Sequence, residues 1–300
     1  MSPAPRLIAV DWGTSRLRAM LVSAEGAILD QTSADEGIMA VPPGGFPAVL
    51  RRIIAPWLDR RGRLPVMMAG MVGSRNGWIE APYAACPASL GDLAHRVVEV
   101  PFDGADVRLV PGLARRDPDG TPDVMRGEET KVAGVGLANG TIVTPGTHSK
   151  WISIRNGGID AFASFMTGDF YAALIGHTII GRLAEEPEDS AGFEKGLAAA
   201  RRKGGLTHQA FAARTSVLLG DMPGNRVGPY LSGLLIGSEI VNGLALDRPP
   251  GEIVVVADGV FGRNYTRAFE AFGVPVRIVD PETTFITGLI RILDRVEGRA

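Results

Sequence analysis

Residues 7–22, LIAVDWGTSRLRAMLV, decide the fold. Leu7 to Val10 is a short apolar run that ends in Asp11-Trp12-Gly13-Thr14-Ser15. From Arg16 to Val22, Leu17, Ala19 and Leu21 alternate with Arg16, Arg18 and Met20, which is the period-two pattern of a strand. A tight turn between two strands, with Gly13 at its centre, lets backbone N–H groups approach a phosphate closely. Thr14 and Ser15 add hydroxyl donors. Asp11, at the strand end, can hold Mg²⁺ through water, because Mg²⁺ takes few carboxylates and keeps its hydration shell. The same letters suit an ordinary Asp-Gly hairpin, so the turn gains specificity only from its surroundings.

Outward from this turn, Ala24-Glu25-Gly26 reverses the chain and Ala27 to Thr32 reads as a third strand. Phe46 to about Arg61 has apolar residues three and four apart, a helix that Pro56 is expected to kink or split. Pro65 to Ala69 reads as a buried strand and residues 70 to 88 as a long loop. A short helix near Ser89–His95, a strand at Val107–Val110 and a helix capped by Asp123 and reaching about Ala138 complete the first half. The order then repeats. Strands at Thr141–Thr144, Lys150–Ile154 and Ile159–Ser164 precede a helix capped by Thr167, helical inserts at about 190–220 and a helix at about 229–246. A strand at Glu252–Ala257, a helix at Arg263–Phe272, a strand at Pro275–Val279 and a last helix at Glu282–Val296 follow. Both halves read β-β-β-α-β-α-β-α with insertions. This predicts an α/β protein of two domains, residues 1–139 and 140–300, each a mixed five-stranded sheet with helices, separated by a cleft.

The turn of the second half is Thr144-Pro145-Gly146-Thr147-His148-Ser149-Lys150, with the same glycine and hydroxyl chemistry plus two candidate cations. Two Gly-Thr turns in matching hairpins are far more specific than one, and a polyphosphate between them is the expected ligand. Asp258-Gly259, after the apolar strand, is a weaker candidate for a purine or ribose contact. Asp123-x-x-Arg126-Gly127-Glu128-Glu129 supplies carboxylates for proton acceptance in phosphoryl transfer, although Asp123 also suits an N-cap and the glutamates a helix first turn. Arg75 and Asn76, in the loop Gly70–Trp78, suit a substrate carboxylate; Trp78 equally suits packing on the core. His148 can contact a phosphate.

A net charge of −2, with 45% hydrophobic and 21% charged residues, describes a folded chain with no global attraction to nucleic acid or anionic membranes. Cys86 is the single cysteine, so no internal disulfide and no cysteine-rich metal site can form, and the four histidines show no zinc spacing. Residues 1–8 do not read as a signal peptide and no run approaches a membrane span, so a cytoplasmic protein is expected.

The DxGTS turn, the second Gly-Thr turn, and Ala257-Asp258-Gly259 followed by a helix and Gly273-Val274-Pro275-Val276 resemble the three nucleotide sites of the sugar kinase, hexokinase and actin superfamily. Within it the chain resembles the 2-dehydro-3-deoxygalactonokinase (2-keto-3-deoxygalactonate kinase) family through VDWGTSRLRAMLV, AGMVGSRNGWIEAPYAACPA, DVMRGEETKVAG, TPGTHSKWI and FMTGDFYAALIGHTI, spread over residues 10–179. The resemblance implies two ribonuclease H-like domains that close over the substrate, ATP and Mg²⁺ as cofactors, and phosphorylation of the terminal hydroxyl of 2-dehydro-3-deoxy-D-galactonate. In related sugar kinases an aspartate base follows a glycine at the start of the helix before the second phosphate turn; aligning that glycine with Gly127 puts Glu128 in the place of the base, with Asp123 and Glu129 as rivals. It implies phosphate contacts from Gly13, Thr14, Ser15, Gly146, Thr147 and His148, nucleoside contacts from Asp258 and Gly259, and a carboxylate held by Arg75, Asn76 and Lys150. A kinase for another sugar or sugar acid, and a non-catalytic sensor on the same scaffold, are the alternative readings. The 190–220 insert is a candidate homodimer surface by position alone.

Overall fold

The computed structural model describes residues 3–187 and 190–299, and the chain divides into two compact units. The first begins with the expected meander, β1 (Pro5–Trp12), β2 (Leu17–Ser23) and β3 (Ile28–Ala34), followed by α1 (Phe46–Arg61) and β4 (Pro65–Ala69). After it come β5 (Ala84–Ala85), α2 (Leu90–His95), β6 (Val98–Val100), β7 (Asp106–Leu109), β8 (Leu113–Arg116), β9 (Pro122–Met125) and α3 (Glu128–Val135). The main sheet has the order β3-β2-β1-β4-β7-β6. It therefore has six strands where five were expected, because the three-residue β6 is too short to show a period and pairs antiparallel with β7. β5, β8 and β9 form a separate small sheet.

Burial on both faces explains why β1 is a continuous apolar run. Ile8, Val10 and Trp12 face α1 through Phe46, Leu50, Ile54 and Trp57. Leu7 and Ala9 point the other way, into a core with Phe285, Ile286, Leu289 and Leu293. The helix α1 runs through Pro56 without a break.

The second unit holds β10 (Gly140–Thr144), β11 (Ser149–Arg155), β12 (Gly158–Phe165), α4 (Thr167–His177), α5 (Ala191–Ala200), α6 (Gly205–Leu218), α7 (Val227–Leu244), β13 (Glu252–Val256), α8 (Gly259–Ala271) and β14 (Val276–Val279). Its five-stranded sheet, β12-β11-β10-β13-β14, has the expected meander followed by parallel strands. Helices α5 and α7 cross at backbone contact: a β-carbon on Gly196 would lie 2.0 Å from the Tyr230 carbonyl oxygen, and one on Gly233 2.1 Å from that of Phe193.

The last helix, α9 (Pro281–Val296), corrects the single cut at residue 139. Residues Asp280–Ala300, and Ile154–Phe162 at the β11–β12 hairpin, group with the first unit. A β-carbon on Gly288 would stand 1.8 Å from the Thr130 carbonyl oxygen and one on Gly134 1.7 Å from that of Thr284, so α3 and α9 interlock through paired glycines. A sequence reading by chain order misses this return, because the partners, Gly134 with Thr284 and Thr130 with Gly288, lie far apart in the chain.

Candidate active site

In the first unit the turn after β1 is built by Gly13, whose N–H donates to the Arg16 carbonyl at 2.9 Å. The segment behind it braces the turn: Ile38 and Met39 donate to the carbonyls of Gly13 and Thr14, and a β-carbon on Gly37 would meet the Thr14 and Ser15 backbone at 2.3 Å. Thr14 and Ser15 are exposed, as phosphate donors must be. Asp11 pairs in register with Ala69 of β4, so Asp11 and Gly70 share the carboxy ends of two parallel strands. Ligands in open parallel sheets bind at such ends. Asp11 Oδ2 accepts from Arg18 at 2.6 Å, and a β-carbon on Gly70 would reach 3.5 Å from Asp11 Oδ1. The tighter neighbour of such a β-carbon is the Trp12 carbonyl oxygen at 2.9 Å, so the chain ends of β1 and β4 meet at bare backbone here.

The third segment here is the start of α3. Asp123 does not cap it. It lies in β9, paired with Arg115, because Pro122–Met125 finds a strand partner and Gly127, at φ +105°, then breaks the extended run. The helix starts at Glu128 with Gly127 as its cap. The two glutamates fold back on the backbone: Glu128 Oε2 accepts from the Arg126 N–H at 3.0 Å and Glu129 Oε2 from the Gly127 N–H at 2.7 Å. Glu128 stays half-buried, while Glu129 is wholly enclosed. Burial, reinforced by the Glu128 charge, pushes the Glu129 carboxyl up to about 8.

The loop after β4 is compact. Trp78 joins an aromatic cluster with Trp12, Phe46 and Phe102, so it serves the core, while Arg75 and Asn76 stand on the exposed tip. Sequence reading gave Arg126 no role of its own. Its guanidinium stacks 4.3 Å from the Tyr83 ring centre and donates to the Ala81 carbonyl at 2.9 Å, tying this loop to the residue before Gly127.

In the second unit Gly146 is open and Thr147 and His148 are exposed. The Thr147 carbonyl accepts from Gly168 and Asp169, both at 3.1 Å, and His148 Nε2 lies 2.8 Å from Asp169 Oδ2. A β-carbon on Gly168 would sit 2.6 Å from the Gly146 carbonyl oxygen, so α4 is seated directly on the turn. Thr167 is the first residue of α4, after the cap Met166, and its hydroxyl bonds Glu239 instead of capping. Lys150 is only 6% exposed and donates to Ser164 Oγ at 2.6 Å. Its place on a strand between sheet neighbours turns it inward, away from the solvent-facing part of the turn.

A cavity of about 580 Å³ opens beside this turn, lined by Thr147, Gly168, Tyr171, Phe193, Phe261, Asn264 and Arg267 among others. That size suits a drug- or nucleoside-sized ligand. Its α8 wall is formed by Val260 to Arg267. Asp258 and Gly259, expected as the contacts, are the exposed cap and first residue of that helix and lie outside the lining. Glu239 and Tyr265, also unassigned from sequence, lie beneath the turn. Glu239 is the sole charged residue of α7, a helix rich in apolar residues, and that was the available signal.

Among the described residues no group of three His, Cys, Asp or Glu side chains is placed to hold a metal, and no helix is long and apolar enough to cross a membrane.

The profile of the 2-keto-3-deoxy-galactonokinase family matches residues 11–292. A relative from Escherichia coli K12, named 2-dehydro-3-deoxygalactonokinase, is 35% identical, covering 97% of this chain and 98% of its own. One from Rhizobium meliloti, carrying the provisional name 2-dehydro-3-deoxygalactonokinase DgoK1, is 35% identical over 96% of this chain and 97% of its own. A crystal structure of a Sinorhizobium meliloti protein, provisionally described as a 2-dehydro-3-deoxygalactonokinase, superposes with a TM-score of 0.89 at 33% identity, covering 96% of this chain and 98% of that one. With a matching profile over nearly its whole length and two relatives above 30% identity, the chain belongs to the 2-keto-3-deoxy-galactonokinase family.

Proposed function

We propose that this protein transfers the γ-phosphoryl group of ATP to the 6-hydroxyl of 2-dehydro-3-deoxy-D-galactonate, giving the 6-phosphate and ADP. The observation that carries the reading is that full-length relatives bear this activity in their names while the two Gly-Thr turns keep exposed donors. The N–H and hydroxyl groups of Gly13, Thr14, Ser15, Gly146 and Thr147 bind phosphate oxygens, with His148 held by Asp169. The nucleoside occupies the cavity beside Thr147. Arg75 and Asn76 hold the substrate carboxylate.

Glu128 accepts the proton of the 6-hydroxyl as its oxygen forms the new P–O bond and the bond to ADP breaks. The Arg126 N–H fixes one of its oxygens and leaves the other for the proton. Asp11 is the residue that would hold Mg²⁺ through water, since a single, partly exposed carboxylate at a strand end suits an ion that keeps its waters. When bound, Mg²⁺ neutralises charge developing on the phosphate oxygens.

The test is ADP release with ATP and a panel of keto-deoxy sugar acids and neutral sugars. The expected result is the highest kcat/KM on 2-dehydro-3-deoxy-D-galactonate. A higher value on a neutral sugar would remove the carboxylate role of Arg75, and tight sugar-acid binding without ADP formation would replace the kinase by a sensor.

A further inference from the structure

Beneath the second turn lies a buried polar group that phosphoryl transfer does not use. Glu239 of α7 is 2% exposed. Its Oε1 accepts from the Trp151 indole N–H at 2.9 Å, and its Oε2 accepts from the Tyr265 hydroxyl at 2.7 Å and from the Thr167 hydroxyl. Ser149 Oγ lies 3.1 Å from the Tyr265 hydroxyl. The direction of these bonds follows from chemistry. An indole can only donate, so Oε1 is an acceptor. With Tyr265 donating to Oε2, its remaining lone pair receives the Ser149 proton. The chain runs from Ser149 to Tyr265 to Glu239.

Each donor belongs to a different part of the candidate nucleotide site. Ser149 ends the Gly146-Thr147 turn, and Trp151 lies two residues further along β11. Thr167 opens α4, whose next two N–H groups hold the Thr147 carbonyl. Tyr265 lies on α8, and both it and Thr167 also line the cavity. An apolar residue at 239 would fill the space, yet it would leave the buried Trp151 indole without its acceptor, Tyr265 with only Ser149, and the half-buried Thr167 hydroxyl without this partner, each at a cost.

We propose that Glu239 is a positioning residue for the nucleotide: through Tyr265 and Thr167 it fixes the phosphate turn, the start of α4 and the α8 wall of the cavity in one geometry. It contacts no ligand itself. The proposal rests on the reading of this cavity as the nucleoside site.

The test compares Glu239→Gln, Tyr265→Phe and Val260→Trp with wild type, reading dissociation constants for a non-hydrolysable ATP analogue with Mg²⁺ and KM for each substrate. Gln at 239 places an amide donor against hydroxyl or indole donors, and Phe at 265 deletes one link without changing shape. Both are expected to weaken the analogue and raise KM for ATP by about tenfold or more, the scale of one hydrogen bond to a charged group. KM for the sugar acid should stay within about twofold, which a general loss of folded protein would not produce. If folded Tyr265→Phe, or folded Glu239→Gln, binds the analogue as wild type does, the positioning role is wrong. Should Glu239→Gln not fold, Tyr265→Phe decides. Val260, exposed on the cavity wall, tests the underlying reading: unchanged analogue binding in Val260→Trp would mean that the nucleoside lies elsewhere.

Discussion

A β-carbon on Gly127 would stand 3.3 Å from the Cα of Gly70, so the end of β4 and the start of α3 meet at bare backbone. Both glycines have positive φ, +102° at Gly70 and +105° at Gly127. Asp11 flanks one and Glu128 follows the other, so this contact sets the spacing of the two carboxylates proposed for metal holding and proton acceptance. Gly127→Ala combines a strained backbone with a tight contact. The expected outcome is a stability loss of about 1–3 kcal/mol in denaturant melts, with a larger fall in kcat than in ATP affinity. Unchanged kcat would show that the contact does not set the active geometry.

Glu128→Gln keeps a carbonyl oxygen for the Arg126 N–H but removes the proton acceptor. Turnover should drop by about 10² or more while ATP binding is spared. Near-normal kcat would move the base to another residue.

Glu129 links stability to pH. Its carboxyl sits at about 8 in the fold against an ordinary value of 4.5, so the folded state holds a proton that the unfolded chain releases between those values. The stabilisation is therefore complete below about pH 4.5 and is lost as pH rises through about 8. Relative to Glu129→Gln, which mimics the protonated form, wild type should lose melting temperature steadily from pH 5 to 8. Parallel profiles for the two proteins would show that Glu129 is ionised throughout.

Arg75 and Arg126 should separate binding from structure. Arg75→Ala, on the exposed tip, is expected to raise KM for the sugar acid while changing stability by less than about 0.5 kcal/mol. Arg126→Ala removes the Tyr83 stack and the Ala81 bond, and should lower the melting temperature as well as loosen the loop. Equal melting losses in both variants would contradict this division.

Gly288→Ala tests the return of α9. A methyl group there would overlap the Thr130 carbonyl, and overpacking of this kind costs about 1–3 kcal/mol or more. A variant as stable as wild type would mean that the two helices separate at little cost.

The meanders, the Gly-Thr turns and most helices were legible in the sequence because they are local. Two-residue alternation, helical spacing and turn glycines each act within about ten residues. What the structure adds to that reading has non-local causes. Asp123 has the chemistry of a helix cap, but β8 offers it a strand partner. Lys150, expected to hold the substrate carboxylate, is turned by its strand position toward Ser164. Asp258 and Gly259 have the look of a ligand turn, while the cavity wall runs along the following face of α8.

By itself the sequence determined the α/β pattern and which residues could carry phosphate chemistry, since dihedral preference and side-chain chemistry belong to each residue and its near neighbours. Only the tertiary structure decided that α9 packs on α3, that Glu129 is enclosed while Glu128 is not, and that Glu239 gathers donors from three other elements. Burial and hydrogen-bond partnership are relations between segments far apart in the chain, and they exist only once those segments have packed.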